Sequence, residues 1–155
     1  MILDATNTIL GRLASYAAKK AQLGENVEII NCEAAVITGN KKTTLKDYKE
    51  KLQRGSRTTG PFTPKRADRF VKKAIRGMLP YKKENGRKAL KRIKCYIGTP
   101  ENLKGKPEQL KNMTLSKLTV VKYITVKEVC KSVGGKVWKQ SLHQEKGKGQ
   151  LQGQQ

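Results

Sequence analysis

Cationic side chains between residues 66 and 76 recur at a spacing of three or four positions. Plotted at 100° per residue, they fall within an arc of about 120° on one side of a helix. Like charges at these separations repel by a few tenths of a kcal/mol per pair, so such a helix favours a partner that carries phosphates. Arginine suits that partner because its guanidinium binds phosphate through paired hydrogen bonds. The cations are Arg66, Arg69, Lys72, Lys73 and Arg76, and Asp68 is the lone acid among them.

The same segment carries apolar side chains that would hold this helix on a core. They fall within an arc of about 140° opposite the cations, and we therefore predict a helix over residues 66–78. Charge reversal at Arg69 and Arg76 should weaken binding of a phosphate-bearing partner and leave the thermal stability nearly unchanged. Phe70→Ala should instead cost about 3–5 kcal/mol of stability if the ring is buried. The apolar positions are Ala67, Phe70, Val71, Ala74, Ile75 and Met78.

The fifteen residues RGMLPYKKENGRKAL, from Arg76 to Leu90, extend the cationic surface beyond this helix. Gly77 can end the helix, and Asn85-Gly86 is a dipeptide typical of turns. Residues 87–92 favour a second short helix. The following IKCYIG alternates as a strand, with Ile93, Cys95 and Ile97 on one face. The pattern predicts a helix, a turn, a helix and a strand whose cations lie on the outer side.

The charge of the whole chain is concentrated in its middle. The formal net charge is +22, and residues 41–96 alone carry +16. A helix with a narrow apolar stripe of Leu45, Tyr48 and Leu52 is predicted in NKKTTLKDYKEKLQR. The loop GSRTTGPFTPK follows it, rich in Gly, Pro, Ser and Thr. Self-repulsion at this charge density opposes compaction, so a polyanion is the expected partner.

The first quarter of the chain has the pattern of an ordinary α/β unit, with a net charge of −1 over residues 1–40. MILDA favours a strand, LGRLASYAAKKAQ a helix over residues 10–22, and VEIINCEAAVI a second strand. Thr8 is the expected N-cap of the helix. Strand, helix and strand at this spacing predict a βαβ unit and a parallel sheet. One arc of the helix holds Leu10, Leu13, Ala14, Ala17, Ala18 and Ala21, and the other holds Arg12, Ser15, Tyr16 and Lys19.

The pattern is weaker after Gly98. Residues 118–121, LTVV, favour another strand. Thr125 is the expected cap of a short helix, VKEVCKSVG, that should end at Gly134-Gly135. Residues 140–155 are rich in Gln, Gly and Lys and cannot bury apolar area, so we expect a flexible tail unless a partner orders it. One α/β domain should span residues 1–139.

Patterns for catalysis and metal binding are weak. The one histidine, His143, lies in the polar tail without an orienting partner in view. Asp4 and Glu33 could lie at the ends of neighbouring strands and hold a metal, although such residues more often cap a helix or pair with a cation. We therefore expect no enzyme activity, no metal, no cofactor and no small-molecule substrate.

Cysteine usage and hydropathy favour a cytoplasmic protein. Cys32, Cys95 and Cys130 form no CxxC pair and no Cys/His cluster, which disfavours zinc and predicts three buried thiols in a reducing compartment. No run approaches the roughly 18 apolar residues of a membrane span. The N-terminus also lacks the basic start and apolar run of a signal peptide.

Several partners remain open for the cationic surface. It could be a solvated face only, or bind an anionic membrane, but the apolar face of the 66–78 helix is needed for the core rather than for insertion. DNA-binding patterns are missing, and two Phe and one Trp are too few for base stacking to be the main mode. Dispersed cations favour the phosphates of a folded RNA. Gly11 in LGRLAS is equally consistent with an anion at a helix start or with close packing.

The motifs in combination and in order resemble the universal large-subunit ribosomal protein thirteen family, in its archaeal/eukaryotic form. The most specific stretch is RGMLP with the basic run, second helix and YIGTP that follow it. DATNTILGRLAS is next, and VEIINCEAAVITGNK, GPFTPKRADRFVKKAI and LTVVKYITVKEVCKSVGGK also match. The resemblance spans nearly all of residues 1–138, and the tail after Trp138 has no counterpart in it.

The resemblance implies a three-layer α/β/α fold with a four-stranded parallel sheet and basic helical and loop extensions. It also implies a partner, large-subunit rRNA, a role early in assembly of the subunit, and contact with neighbouring large-subunit proteins. The family's RNA-facing motifs carry over to Gly11, Arg12, Ser15, Arg57, Thr59, Lys65, Arg66, Arg69, Arg76, Lys82, Lys83 and Arg87. Further RNA contacts are expected beside them, at Lys19, Lys41, Lys42, Arg54, Thr58, Lys73, Lys88, Lys91 and Arg92.

Three functions are consistent with this reading. The first is a non-catalytic rRNA-binding constituent of the large ribosomal subunit, located in the cytoplasm in the ribosome. The second is an RNA-binding regulator that represses or protects an mRNA outside the ribosome and uses the same surface. The third is an RNA-processing enzyme with Asp4 and Glu33 as metal ligands.

Overall fold

The computed structural model describes residues 1–56, 58–101, 103, 105–110, 113–117 and 122–135. Short 3-10 helices lie at Cys32–Ala34 and Leu115–Lys117. The strands are β1 (Ile2–Asp4), β2 (Val27–Ile30), β3 (Val36–Thr38), β4 (Ile93–Cys95), β5 (Glu108–Gln109) and β6 (Tyr123–Thr125). The helices are α1 (Leu10–Gln22), α2 (Lys41–Gln53), α3 (Ala67–Gly77), α4 (Glu84–Lys91) and α5 (Val126–Ser132).

A parallel sheet of four strands in the order β4-β2-β1-β5 organises the fold. The predicted βαβ unit is confirmed, since β1 pairs with β2 in parallel with Leu3 opposite Ile29. Along these strands the side chains alternate between two faces. One face is the more buried, although Ile30 on the other face is buried as well. The more buried face holds Leu3, Val27, Ile29 and Ile93, and α1 contacts both α3 and α4. The α/β fold class is therefore confirmed.

Helix α1 has the predicted bounds and the predicted buried face. Its expected cap is wrong, because the N-cap position is occupied by Ile9 and no side chain caps the helix. The hydroxyl of Thr8 is buried and donates instead to the carbonyl oxygens of Asp4 and Thr6. Burial leaves that hydroxyl only the turn's own carbonyls to bond, which explains the change of role.

The single strand predicted in VEIINCEAAVI is wrong, since the segment forms two strands in different sheets. Asn31 adopts a left-handed conformation with φ of 53°, and the 3-10 helix at Cys32–Ala34 follows it. Asparagine tolerates this region better than a β-branched residue does. The bend separates β2 from β3, which pairs antiparallel with β6 so that Ile37 lies opposite Ile124.

Helix α3 confirms the predicted amphipathic segment with one change at its end. Phe70, Val71 and Ile75 are buried against the core. Met78, predicted on the buried face, is 44% exposed. The helix ends at Gly77, so the chain leaves the helical path before Met78 can reach the core.

The predicted turn at Asn85-Gly86 is wrong, because both residues belong to the first turn of α4. Gly86 is buried there, and a Cβ at this position would overlap the carbonyl of Pro80. The glycine therefore permits close approach of two backbone segments, which is one established use of that residue. A sequence pattern cannot distinguish this use from a turn.

Among the C-terminal elements that the structure describes, α5 agrees with the sequence, whereas β5 and β6 were not predicted. Thr125 caps α5 by accepting a hydrogen bond from the backbone of Glu128, and Gly134 follows the helix with φ of +80°. The strand predicted at 118–121 lies outside the described residues, as does the tail predicted at 140–155. Within the described ranges, no helix is long and apolar enough to cross a membrane.

Candidate nucleic-acid interface

The exposed face of α3 carries cations that the chain itself leaves unneutralised. Arg69, Lys73 and Arg76 are exposed, and none of them takes part in an ion pair with a described residue. Arg66 differs, since its guanidinium lies 3.0 Å from a carboxylate oxygen of Asp68. Because the one acid of this helix is already paired, the other cations remain available to a polyanion.

A groove of about 650 Å³ brings several of the predicted residues together. One wall is the cationic face of α3, and the loop before α3 and Leu90 of α4 supply the rest. Low-dielectric walls lined by one sign of charge concentrate the field and attract counterions. The predicted RNA contacts that line the groove are Lys65, Arg66, Arg69, Lys73 and Arg76.

The turn between α3 and α4, and α4 itself, continue this cationic surface. The guanidinium of Arg76 lies 4.1 Å from the centre of the Tyr81 ring, a cation–π contact that orients it. Lys88 is paired with Glu84 at 2.7 Å. The exposed predicted contacts of this stretch are Lys82, Lys83, Arg87, Lys88 and Lys91.

Arg92 is placed differently from its neighbours in the sequence. It is half-buried, and its guanidinium donates a hydrogen bond of 3.2 Å to the carbonyl oxygen of Ala21. That carbonyl lies in the last turn of α1 and also accepts a hydrogen bond of 3.2 Å from the backbone N–H of Gly24. Arg92 therefore joins α1 to the end of α4, and this contact occupies at least part of its hydrogen-bonding capacity.

The predicted contacts on α1 lie on its exposed side. Gly11, Arg12, Ser15 and Lys19 are all exposed, and the Ser15 hydroxyl donates to the Arg12 carbonyl at 3.0 Å. A Cβ built on Gly11 would meet no atom within 4 Å, which removes the packing explanation for this glycine within the described chain. The first turn of α1 has no acidic residue and no capping side chain.

The remaining predicted contacts flank α2. Lys41 pairs with Glu128 at 2.8 Å, whereas Lys42 is exposed beside the capping side chain of Asn40. Past the helix, Arg54, Thr58 and Thr59 are exposed on the loop. Arg57 lies outside the described residues.

Comparison with known proteins identifies the family. A sequence model described as Ribosomal protein L13 matches residues 1–102. A Methanosarcina barkeri protein named "Large ribosomal subunit protein uL13" is 46% identical over 137 residues, covering 87% of this chain and 98% of the relative. The chain belongs to the ribosomal protein L13 family. Two further proteins of the same name come from Methanocaldococcus jannaschii, 44% identical, and Methanopyrus kandleri, 42% identical. The matches cover 98% and 86% of these two relatives, respectively.

This membership confirms the resemblance found in the sequence, and the archaeal relatives agree with the archaeal/eukaryotic form. The matched region contains the whole of α1, α3 and α4. The cationic surface described above therefore lies within the part of the chain that defines the L13 family, rather than in an appended segment.

The two carboxylates considered as metal ligands serve the fold of this L13 family member. Asp4 accepts hydrogen bonds from the backbone and hydroxyl of Thr6 and from the Asn31 amide, at 2.7–3.0 Å. Burial alone would raise the pKa of Asp4, but these hydrogen bonds outweigh it and the pKa is lowered. Glu33 accepts from the backbone N–H of Gly98. No group of three or more potential ligands occurs among the described residues.

The prediction of three buried thiols holds for Cys32 and Cys130 but not for Cys95, which is half-buried. The pKa of Cys95 is lowered by a hydrogen bond with the Cys32 thiol and by nearby Lys72, against the opposing effect of burial. The same hydrogen bond, together with burial, raises the pKa of Cys32. Burial raises the pKa of Cys130 to about 11.

Phe62 is the residue that sequence reasoning did not select. Its side chain is 72% exposed at the edge of the groove described above. A lone phenylalanine in a loop gives no sequence signal of exposure, because most such residues are buried.

Proposed function

We propose that this chain is a structural, non-catalytic constituent of the large ribosomal subunit that binds its rRNA through the cationic surface of α3 and α4. The observation that supports this most directly is the exposed, unpaired set of cations on a helix whose other face is buried in the core. The relatives carry the name of a large-subunit protein, which agrees with the proposal. Its location is then the ribosome in the cytoplasm.

The mechanism is charge neutralisation by a rigid surface. Each phosphate that a Lys or Arg neutralises releases condensed counterions, which lowers log K by about 0.9 per tenfold rise in salt for a duplex and about 0.7 for a single strand. Since α3 is packed against the core, its cations lose little conformational freedom on binding beyond that of their own side chains. A preformed cationic surface of this kind suits converging strands of a folded RNA.

The contacts differ in how directly the structure supports them. The best-supported contacts are the exposed cations without an acidic partner among the described residues. Gly11 adds an open stretch of backbone at the start of α1. Lys41, Lys88 and Arg66 would exchange a carboxylate for a phosphate on binding. Arg92 is the weakest, because its guanidinium already bonds Ala21. Binding early in assembly and contact with neighbouring large-subunit proteins belong to the same proposal.

The decisive experiment is sedimentation of a cell extract through a sucrose gradient, with this chain detected before and after a high-salt wash. Co-sedimentation with the large subunit that survives the wash is expected, because a protein enclosed by rRNA strands dissociates slowly. A chain that stays at the top of the gradient, or is washed off readily, would contradict the proposal. It would indicate instead an RNA-binding regulator that acts outside the ribosome.

Gly11→Ala tests the contribution of α1 separately from the fold. The added methyl group meets open space in the free chain, so the thermal midpoint should not fall. Binding of a large-subunit rRNA transcript should weaken if RNA lies against this backbone, because the methyl group then occupies the contact. Unchanged rRNA affinity would remove the backbone at Gly11 from the interface.

A further inference from the structure

An exposed aromatic ring lies at the edge of the cationic groove. Phe62 is 72% exposed, the highest fraction among the large apolar side chains that the structure describes. Single exposed apolar residues are common and need no explanation by themselves. This one lines the same groove as Arg69, Lys73 and Arg76, so an apolar surface and unpaired cations face one space.

The ring is held in place by the loop that carries it. A Cβ on Gly60, which has φ of +81°, would lie 3.2 Å from two carbons of the Phe62 ring, so the ring packs closely on this glycine. Gly60 is fixed in turn, because its N–H donates to the Ser56 carbonyl at 2.9 Å. Gly55 packs against Gly60 and Pro61 so tightly that a Cβ there would overlap the Gly60 carbonyl. One side of the ring is thus supported and the rest is open to solvent.

This combination fits an unpaired nucleotide better than the other polyanions considered. An unpaired base can stack on a flat aromatic ring, whereas the bases of a duplex are already stacked on one another. The cations can neutralise the phosphates next to that unpaired base. A duplex satisfies the cations but leaves the ring without a partner, because its bases are stacked inside the helix. An acidic peptide would also satisfy the charges, but it has no need of an exposed ring.

We propose that Phe62 stacks on an unpaired base of the bound RNA, while Arg69, Lys73 and Arg76 hold the phosphates beside it. This rests on the proposed RNA-binding function and adds a single-stranded subsite to it. The groove then distinguishes looped or bulged RNA from regular helix. Most of the affinity still comes from charge, so one stacking residue is compatible with the chain's low aromatic content.

The test compares two probes by fluorescence anisotropy at one salt concentration. The probes are an oligouridylate of about twelve nucleotides and an RNA duplex of about twelve base pairs, within the range of single-strand site sizes. The variants of the full chain are Phe62→Ala, Phe62→Tyr and, as a control, Leu23→Ala. Leu23 is similarly exposed, at 69%, and does not line the groove.

Phe62→Ala should weaken binding of the oligouridylate by roughly 5- to 150-fold, with its salt dependence unchanged and duplex affinity preserved. Phe62→Tyr should retain the single-strand affinity, since its ring also stacks, and Leu23→Ala should alter neither affinity. Equal loss for both probes would show that the ring only shapes the loop and would overturn the proposal. Undiminished oligouridylate binding by Phe62→Ala would overturn it as well.

Two further outcomes separate this inference from the general function. If the unaltered chain binds neither probe and no rRNA transcript, the proposed function itself fails and the subsite fails with it. If polyglutamate displaces the oligouridylate and its own binding depends on Phe62, the groove belongs to an acidic protein segment. In that case RNA binding through the remaining cations would survive and the stacking proposal would not.

Discussion

The cations of the proposed interface differ in how firmly the chain's own acids hold them. Lys88 and Arg66 have partners within 3.0 Å, whereas Arg69 and Lys73 have none among the described residues. Exposed pairs are worth about 0–1 kcal/mol, so an arriving phosphate can displace the acid at little cost. At the scale of single residues, an existing ion pair therefore makes a cation a less direct candidate for RNA contact, but it excludes none of the exposed cations from the proposed interface.

Cys95 should be the first thiol of the native protein to react with an aromatic disulfide reagent. Cys95 lines a groove of about 280 Å³. Its lowered pKa gives more thiolate at a given pH than a free cysteine has, whose pKa is about 8.5. Its labelling rate should therefore rise at a lower pH than that of a model thiol. Mass spectrometry of the labelled peptide measures this, with Cys95→Ser as the control. Faster labelling of Cys32 or Cys130 would refute the assignment.

Gly86→Ala should lower the free energy of unfolding by about 1–3 kcal/mol. The new methyl group would overlap the Pro80 carbonyl, which forces the backbone of this turn to move. Urea denaturation measures the change. Gly77→Ala is the matched control, since its methyl group meets open space at the end of α3 and should not lower the free energy of unfolding. Similar effects of the two substitutions would show that Gly86 is not a packing position.

At the scale of elements, α3 is where the stability and the proposed binding of this chain meet. Its buried face contacts α1 and β4, and Phe70 lies 5.2 Å from the Tyr48 ring of α2, centre to centre. The opposite face holds the unpaired cations. Because both faces belong to one helix, a substitution on the buried face can be compared with one on the exposed face at a neighbouring position.

Arg69→Glu should weaken rRNA binding while the free energy of unfolding stays within about 0.5 kcal/mol of the original value. Arg69 has no ion pair with a described residue to lose, and the new carboxylate would face Lys72 and Lys73 at helical spacing, which is weakly favourable. Phe70→Ala should instead lose about 3–5 kcal/mol, because Phe70 is only 7% exposed in a packed site. Filter binding and urea denaturation on both variants separate the two effects. Unfolding of Arg69→Glu would mean that the faces are misassigned.

At the scale of the whole molecule, the charge is distributed unevenly over one fold. The net charge of +22 lies mostly in residues 41–96, which include α2, α3 and α4, while the βαβ unit of the first quarter is nearly neutral. The nearly neutral βαβ unit can pack without self-repulsion, and the charged segment packs against it. Repulsion among the cations then lowers the stability of the free chain without preventing its folding.

Raising the salt concentration from about 50 to 500 mM should raise the thermal midpoint of the free protein. Salt screens the repulsion among the excess cations more than it weakens the few exposed ion pairs, since the Debye length falls from above 10 Å to below 8 Å. Calorimetry at fixed pH measures this. The same salt increase should weaken rRNA binding, so the two measurements move in opposite directions. A midpoint that falls with salt would show that ion pairs outweigh repulsion.

The parts of the fold that were predicted correctly depend on local periodicity. The buried faces of α1 and α3 follow from apolar spacing, and the Thr125 cap follows from one residue at a helix start. The antiparallel pair of β3 and β6 was missed because pairing between Ile37 and Ile124 leaves no signal in either short segment. Strand β5, with exposed Glu108 and Gln109, has no apolar pattern at all.

The sequence by itself determined the amount and placement of charge and the amphipathic character of α3, from which the class of partner is proposed. These properties are sums and spacings along the chain, so no tertiary contact is needed to read them. Only the tertiary structure decided which residues are already engaged. Arg92 reaches Ala21, Gly86 admits the Pro80 carbonyl, and Gly60 supports the open ring of Phe62. Folding creates these contacts by placing particular atoms against one another, a geometry that residue type and spacing do not specify.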